Sequence, residues 1–128
     1  MKLLLDTHVF LWVDGEPAKL SARARSLCED PSNEILVSVV SIWEMQLKSM
    51  LGKLALRPPL RNVIQDWTAD ASLKLIDLSA NHVFRVESLP THHKDPFDRL
   101  LIAQAQEEGC AMISHDRLIS RYPVTVIW

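Results

Sequence analysis

The sequence predicts an α/β protein: a three-layer α/β/α domain around a central, mostly parallel sheet of about five strands. Three observations predict it. Short apolar runs alternate with helix-length segments from one end of the chain to the other. Runs such as Lys2–Leu5 and Glu34–Ser38 are continuously apolar rather than alternating, the pattern of strands covered on both faces. Only three glycines occur in 128 residues, with no repeat and no low-complexity stretch, so there is no candidate linker. One domain over residues 1–128 is expected at this length. Such a chain buries roughly two thirds of its unfolded surface, enough to fold without disulfide or metal staples.

Each element has its own signal. Lys2–Leu5 reads as the first strand, followed by a helix from Thr7 to Val13 that Asp14-Gly15 and Pro17 stop. Ser21–Asp30 reads as a second helix, with Ala22, Leu27 and Cys28 inward and Pro31 closing it. Glu34–Ser38 is the second strand. In the helix Val39–Leu51, residues Val39, Trp43, Leu47 and Met50/Leu51 fall at helical spacing and Gly52 provides the stop. Leu60–Ser72 follows the Pro58-Pro59 break, with Leu60, Val63, Ile64 and Trp67 as its apolar stripe. Leu75–Leu78 reads as a short strand and Asn81–Leu89 as a short helix. Pro96–Glu108 is a strong helix closed by Gly109. Ala111–Ser114 is a strand, Asp116–Arg121 one or two helical turns, and Val124–Trp128 the last strand.

Composition narrows the class. With 48% hydrophobic and 23% charged residues, the chain is neither disordered nor a membrane protein. Its apolar runs are strand-length, far short of the roughly 20 residues that span a bilayer. Asp6 ends the initial run before a signal-peptide core can form. Cys28 and Cys110 stand apart and read as two buried free thiols of a reducing compartment, so a soluble cytoplasmic protein is expected. The net charge of −2 weighs against nucleic-acid binding by bulk attraction. Any such function must rest on a local site.

In open parallel sheets, ligands bind at the carboxyl ends of the strands, near the switch in strand order. Acids gather in those turns. Asp6 follows the first strand, Asp116 follows the Ala111–Ser114 strand, and Asp95 and Asp98 open the Pro96–Glu108 helix. Glu44 lies about one and a half turns into the helix after the second strand. Taken singly, each has a plainer explanation: Asp6, Asp95 and Asp116 suit N-caps, Asp98 suits a helix first turn, and Glu44 pairs with Lys48 at i+4. Taken together, they place carboxylates from three strand-to-helix junctions on one edge. Two carboxylates about 4 Å apart repel by on the order of 4 kcal/mol at an effective dielectric near 20. Such a group takes up protons or holds a cation. Oxygen donors of this kind suit Mg²⁺ or Mn²⁺, and phosphodiester hydrolysis is the reaction that uses such a centre.

The stretches LLLDTHVFLW, VSVVSIWEMQLK, HHKDPFDRLLIAQA and ISHDRLISRY resemble PIN-domain proteins, specifically their toxin (VapC-like) branch. The resemblance runs from residue 2 to the final tryptophan. It places the family's four acids on Asp6, Glu44, Asp98 and Asp116. Ser114 stands where the family usually has threonine, and Asp95 is an extra acid of the DPFDR subgroup, read first as an N-cap and second as a metal contact. What the resemblance implies is a Mg²⁺-dependent endoribonuclease, with Mn²⁺ as the other candidate ion. Asp6 and Asp98 would be the principal ligands and Glu44 and Asp116 would complete the site. Thr7 and Ser114 would orient carboxylates, or serve as ordinary helix-capping hydroxyls. It also implies an RNA substrate, a homodimer, and a small antitoxin whose C-terminal segment covers the acidic groove.

Around the acids, His8, His92, His93, Lys94, Arg99 and Arg117 are candidate phosphate contacts or ordinary solvated residues. A metal site built from both His92 and His93 is not expected, because adjacent residues rarely converge on one ion. Lys48, Lys53, Arg57 and Arg61 form a modest basic run that could guide RNA. Trp12, Trp43 and Trp67 read as core or interface residues rather than base-stacking platforms. Other acid-rich enzymes fit poorly. A receiver domain needs a phospho-acceptor Asp after a middle strand and a lysine after a late one, whereas Ser38 ends the second strand here. A haloacid-dehalogenase-like phosphatase needs D-x-D-x-T, and no Gly-rich nucleotide loop is present. The remaining alternative is a catalytically silent PIN-fold module that binds RNA or a protein.

Overall fold

Side chains alternate across the pleat, and that alternation divides the core. In strand β1 (Lys2–Leu5), Leu3 and Leu5 face one side of the sheet and Leu4 the other. Strand β2 (Glu34–Ser38) repeats this with Ile35 and Val37 against Leu36, and strand β4 (Ala111–Ile113) with Ala111 and Ile113 against Met112. Every one of these side chains is buried, which is why Leu3–Leu5, Ile35–Val37 and Ala111–Ile113 are apolar throughout. The computed structural model describes residues 1–56 and 58–128, so Arg57 of the basic run lies outside the described residues.

Two further strands, β3 (Lys74–Ile76) and β5 (Val126–Ile127), complete a sheet of order β3-β2-β1-β4-β5 in which every pairing is parallel. Leu3 pairs with both Ile35 and Ala111, so β1 is central. One face is covered by helices α1 (Thr7–Gly15), α2 (Ala22–Glu29) and α4 (Leu60–Ala69). The other is covered chiefly by α6 (Pro96–Glu108). Helix α3 (Val39–Met50) gives Met45 to the first core and Val40 to the second. Helix α5 (Ala80–Arg85) starts on a capping box of Ser79 and His82. The expected α/β/α domain is thus present. Strand order reverses between β1 and β4, the switch point where a site is sought.

Several expectations need correction. The buried face of α3 is Val40, Ser41, Glu44 and Met45, while Trp43, Met50 and Leu51 are exposed. The helix is rotated because it docks polar atoms as well as apolar ones: Ser38 Oγ caps Val40 N–H and Ser41 Oγ accepts from Thr7. In α2 the buried alanine is Ala24, not Ala22, since Ser21 is the N-cap and shifts the inward face. Strand β3 lies at the sheet edge and is largely exposed, so not every strand is covered on both faces. Its helix neighbour stops at Arg85 with a 3₁₀ turn over Val86–Ser88, and only Ile119–Arg121 is helical after β4, again as 3₁₀. Cys110 is buried but Cys28 is half-buried. Helix α6 is entered from a loop rather than a strand, so two of the acid-bearing junctions, not three, are strand exits. Its N-terminus reaches the same edge because α6 returns antiparallel to β4, which it feeds.

Candidate functional site

Three acids meet in one cavity of about 280 Å³ at the switch point, lined by Asp6, Asp98 and Asp116 with His8, Val9, Trp12, His93 and His115. Asp6 is delivered by the end of β1, where its N–H bonds Ile113 O of the neighbouring strand at 3.1 Å. Although it occupies the N-cap position of α1, its side chain makes no cap. Instead Oδ2 accepts from Ser114 Oγ at 2.8 Å, and Oδ1 is buried with no hydrogen-bond partner. Ser114 Oγ also accepts from Asp116 N–H at 3.1 Å, so one hydroxyl ties the first and last acids together. The serine therefore does what the expected threonine hydroxyl would do. Thr7 does not: its hydroxyl donates to Ser41 Oγ rather than to a carboxylate.

Asp98 reaches the cavity from the first turn of α6. Asp95 makes that turn, accepting from Phe97 N–H at 2.8 Å and Asp98 N–H at 3.3 Å, with Pro96 preset for the first helical position. Its N-cap role is thus visible directly. Glu44 is buried behind the cavity rather than lining it, with Oε2 bonded to Lys48 Nζ at 2.6 Å and Oε1 unpartnered. The expected pairing of Glu44 with Lys48 is present, but Glu44 is buried rather than on a solvated helix face. The glutamate bond also raises the Lys48 ammonium pKa.

Electrostatics mark the cluster. Burial, then Asp6, Asp95, Glu44 and Asp116 as neighbouring carboxylates, push Asp98 up to about 8. Asp6 is raised as well, by burial first, while the Ser114 hydrogen bond and His8 pull the other way. Two raised carboxylates and two orphaned buried oxygens are what a cation's donor set looks like before the cation is counted. The residues fit a hard divalent ion, with oxygen donors and no thiolate.

His93, a candidate phosphate contact or solvated loop residue in the sequence, is half-buried among the acids. Its Nε2 lies 2.9 Å from Asp98 Oδ2 and 3.0 Å from Asp116 Oδ2. Its Nδ1 accepts from Asp95 N–H at 3.2 Å, which places the ring proton on Nε2. His93 is therefore a donor shared by two carboxylates. Ligand-like spacing of His93, Asp98 and Asp116 does not make it a metal ligand in this tautomer. Tyr122 fixes the loop by accepting His93 N–H at 2.7 Å. No short-range periodicity signals a contact between residues 93 and 116. Of the other candidates, Arg99 is turned away to brace the carbonyls of Pro90, Val86 and Leu89, His92 packs edge-on against Tyr122, and Arg117 is exposed.

This sheet order, with acids from β1, α3, α6 and the β4 exit, can be compared with known proteins. The sequence model for the PIN domain matches residues 3–124. The chain belongs to the PIN domain family. This PIN domain is similar to ribonuclease VapC22 of Mycobacterium tuberculosis (strain ATCC 25618 / H37Rv), 28% identical over 129 residues and 97% of each chain. It shares its fold with VapBC2 from Rickettsia felis bound to a promoter DNA fragment, at TM-score 0.74, 18% identity, and 99% and 98% of the two chains. A DNA-bound VapBC from Salmonella typhimurium matches at TM-score 0.68, 15% identity, and 99% and 97% of the two chains. No helix among the described residues is long and apolar enough to cross a membrane.

Proposed function

We propose that this PIN domain is a divalent-metal-dependent endoribonuclease, and that it acts in the cytoplasm as the toxin of a toxin–antitoxin pair. The observation that carries the reading is the pair of buried, unpartnered carboxylate oxygens: Asp6 Oδ1, on a residue that lines the cavity together with Asp98 and Asp116, and Glu44 Oε1, on a buried residue outside that lining. An isolated buried anion is costly, so the set calls for a positive partner. When bound, Mg²⁺ or Mn²⁺ would neutralise charge on the non-bridging phosphate oxygens and lower the pKa of a water. Asp6 and Asp98 would hold it most directly, with Asp116 and Glu44 completing the set. Ser114 orients Asp6 and braces Asp116, while Lys48 fixes the second oxygen of Glu44. His93 keeps Asp98 and Asp116 together. Asp95 serves as the cap that aims α6.

The named relative and the solved VapBC complexes support the ribonuclease and the antitoxin respectively. A homodimer accords with the exposed Trp43, Met50, Leu51 and Phe84, apolar surface in search of cover. The deciding experiment incubates purified protein with a pool of cellular RNAs in Mg²⁺, in Mn²⁺ and in EDTA, alongside Asp6→Asn. Discrete fragments should appear only with metal, and Asp6→Asn should slow cleavage at least about a hundredfold. A folded, antitoxin-free protein that cuts nothing with either ion would instead be a silent binding module.

A further inference from the structure

The acidic cavity has a second wall, and it is aromatic. Trp128 lies stacked on His115, with ring centroids 5.0 Å apart and planes 21° apart. Trp12 tilts against both, 5.7 Å from Trp128 and 6.4 Å from His115, and His8 also lies 6.4 Å from Trp12. Core packing accounts for the two half-buried tryptophans, which sit against the apolar cluster beneath α1. It does not account for His115 and His8, which are exposed yet line the cavity together with Trp12 and the three acids.

From this wall we infer a nucleobase subsite: an unpaired RNA base flanking the scissile phosphate stacks against His115 and Trp12. The inference rests on the ribonuclease reading and adds the element of substrate that the site grips. Charge chooses the occupant. The carboxylates in the lining repel a bare anion, while the rings of His8, Trp12 and His115 in the same lining offer contact to a neutral planar group. A base is that group, and its own phosphate would meet the acids through the divalent cation that the ribonuclease reading places among them. The cavity, at about 280 Å³, is smaller than the roughly 300–1,000 Å³ that takes a drug-sized ligand, which suits a group no larger than a single base. Stacking of this kind tolerates any base, so the subsite selects single strands over duplexes before it selects sequence.

The test compares two fluorescein-labelled probes of equal length and charge: a single-stranded RNA decamer and a fully abasic ribose-phosphate decamer. Binding is read by anisotropy with Ca²⁺ replacing Mg²⁺, and cleavage of the RNA decamer is read separately in Mg²⁺. Wild-type protein should prefer the base-bearing strand by about tenfold or more. His115→Ala should bring that preference to within about twofold, and His115→Phe should retain it, because the planar ring rather than the charge carries the effect. His115 is exposed, so both variants should fold; Trp12→Phe, with its thermal midpoint checked, is the second probe of the wall. An equal preference in wild type and His115→Ala, with Mg²⁺-dependent cleavage intact, overturns the subsite and leaves the nuclease standing. Displacement of the RNA decamer by an added aromatic peptide but not by free nucleosides would assign the wall to a protein partner and overturn it too. If wild type neither binds nor cuts, the nuclease reading falls and the subsite with it.

Discussion

A buried carboxylate oxygen without a hydrogen-bond partner costs about 1–3 kcal/mol, and among the described residues Asp6 and Glu44 each carry one. Lys48 prevents a third, since its Nζ is bonded to the other oxygen of Glu44. Lys48→Met should therefore destabilise the metal-free protein by about 1–3 kcal/mol, the lower end reflecting a lysine that water partly screens. Saturating Mg²⁺ should recover part of that loss. Urea denaturation in EDTA and in Mg²⁺ measures both, and an unchanged midpoint in EDTA would remove the pair from the account of this site. Asp98 makes a second prediction, with a definite sign. Its folded-state pKa of about 8 lies above the ordinary carboxylate value of about 4. Between those values the folded chain holds more protons than the unfolded one, so stability falls as pH rises from about 4 to about 8. In EDTA the thermal midpoint of the wild type should drop from pH 5 to pH 8 more steeply than that of Asp98→Asn. Added Mg²⁺ should raise it more at pH 8 than at pH 5. Parallel slopes for the two proteins would show that Asp98 is not the group responsible.

Helix α6 is the element on which the site turns, because its first turn sets where Asp98 points. Asp95→Ala should cost about 1 kcal/mol by leaving Phe97 and Asp98 N–H groups uncapped, whereas Asp95→Asn should keep the cap and cost only a few tenths. Thermal unfolding of the two variants separates capping from charge; equal losses would mean that the negative charge, not the cap, is what α6 needs. This helix was also the most legible element. Asp95-Pro96 at one end and Gly109 at the other, with φ +67°, bound it at the positions the residue types announce. The central strands were legible for the same local reason, since continuous apolar runs admit few other readings. The face of α3 was not. Trp43 fits an apolar stripe by spacing, but the helix turns to bury Ser41 and Glu44, and that choice depends on Thr7, 34 residues away. His93 was illegible for a similar reason, because its significance comes from Asp116 across the sheet edge. Periodicity reports what one element buries, not which polar atoms two elements share.

At the scale of the whole molecule the net charge of −2 still has to be reconciled with the RNA substrate that the proposed function requires. The structure narrows the available cations further. Lys48 is bonded to Glu44, and the Arg99 guanidinium is bonded to backbone carbonyls and to Tyr122. Lys53, Arg61, Lys94 and Arg117 are exposed, and they are dispersed along the chain rather than gathered in one helix stripe. Affinity should then come from the cation at the acidic cluster and from base contacts, not from a broad basic face. The consequence is measurable as a salt dependence. Each neutralised phosphate of a single strand contributes about −0.7 to the slope of log K against log salt concentration, so two to four contacts give about −1.5 to −3. Titrating the RNA decamer between low and physiological salt, with divalent ion held saturating, measures that slope directly. A value steeper than about −5 would mean that a basic surface absent from one copy is assembled by two. Lys53 and Arg61 of each partner would then be the residues to neutralise. A shallow slope that stays the same across protein concentration would place recognition within a single PIN domain, at the cavity that the acids and the aromatic rings line together.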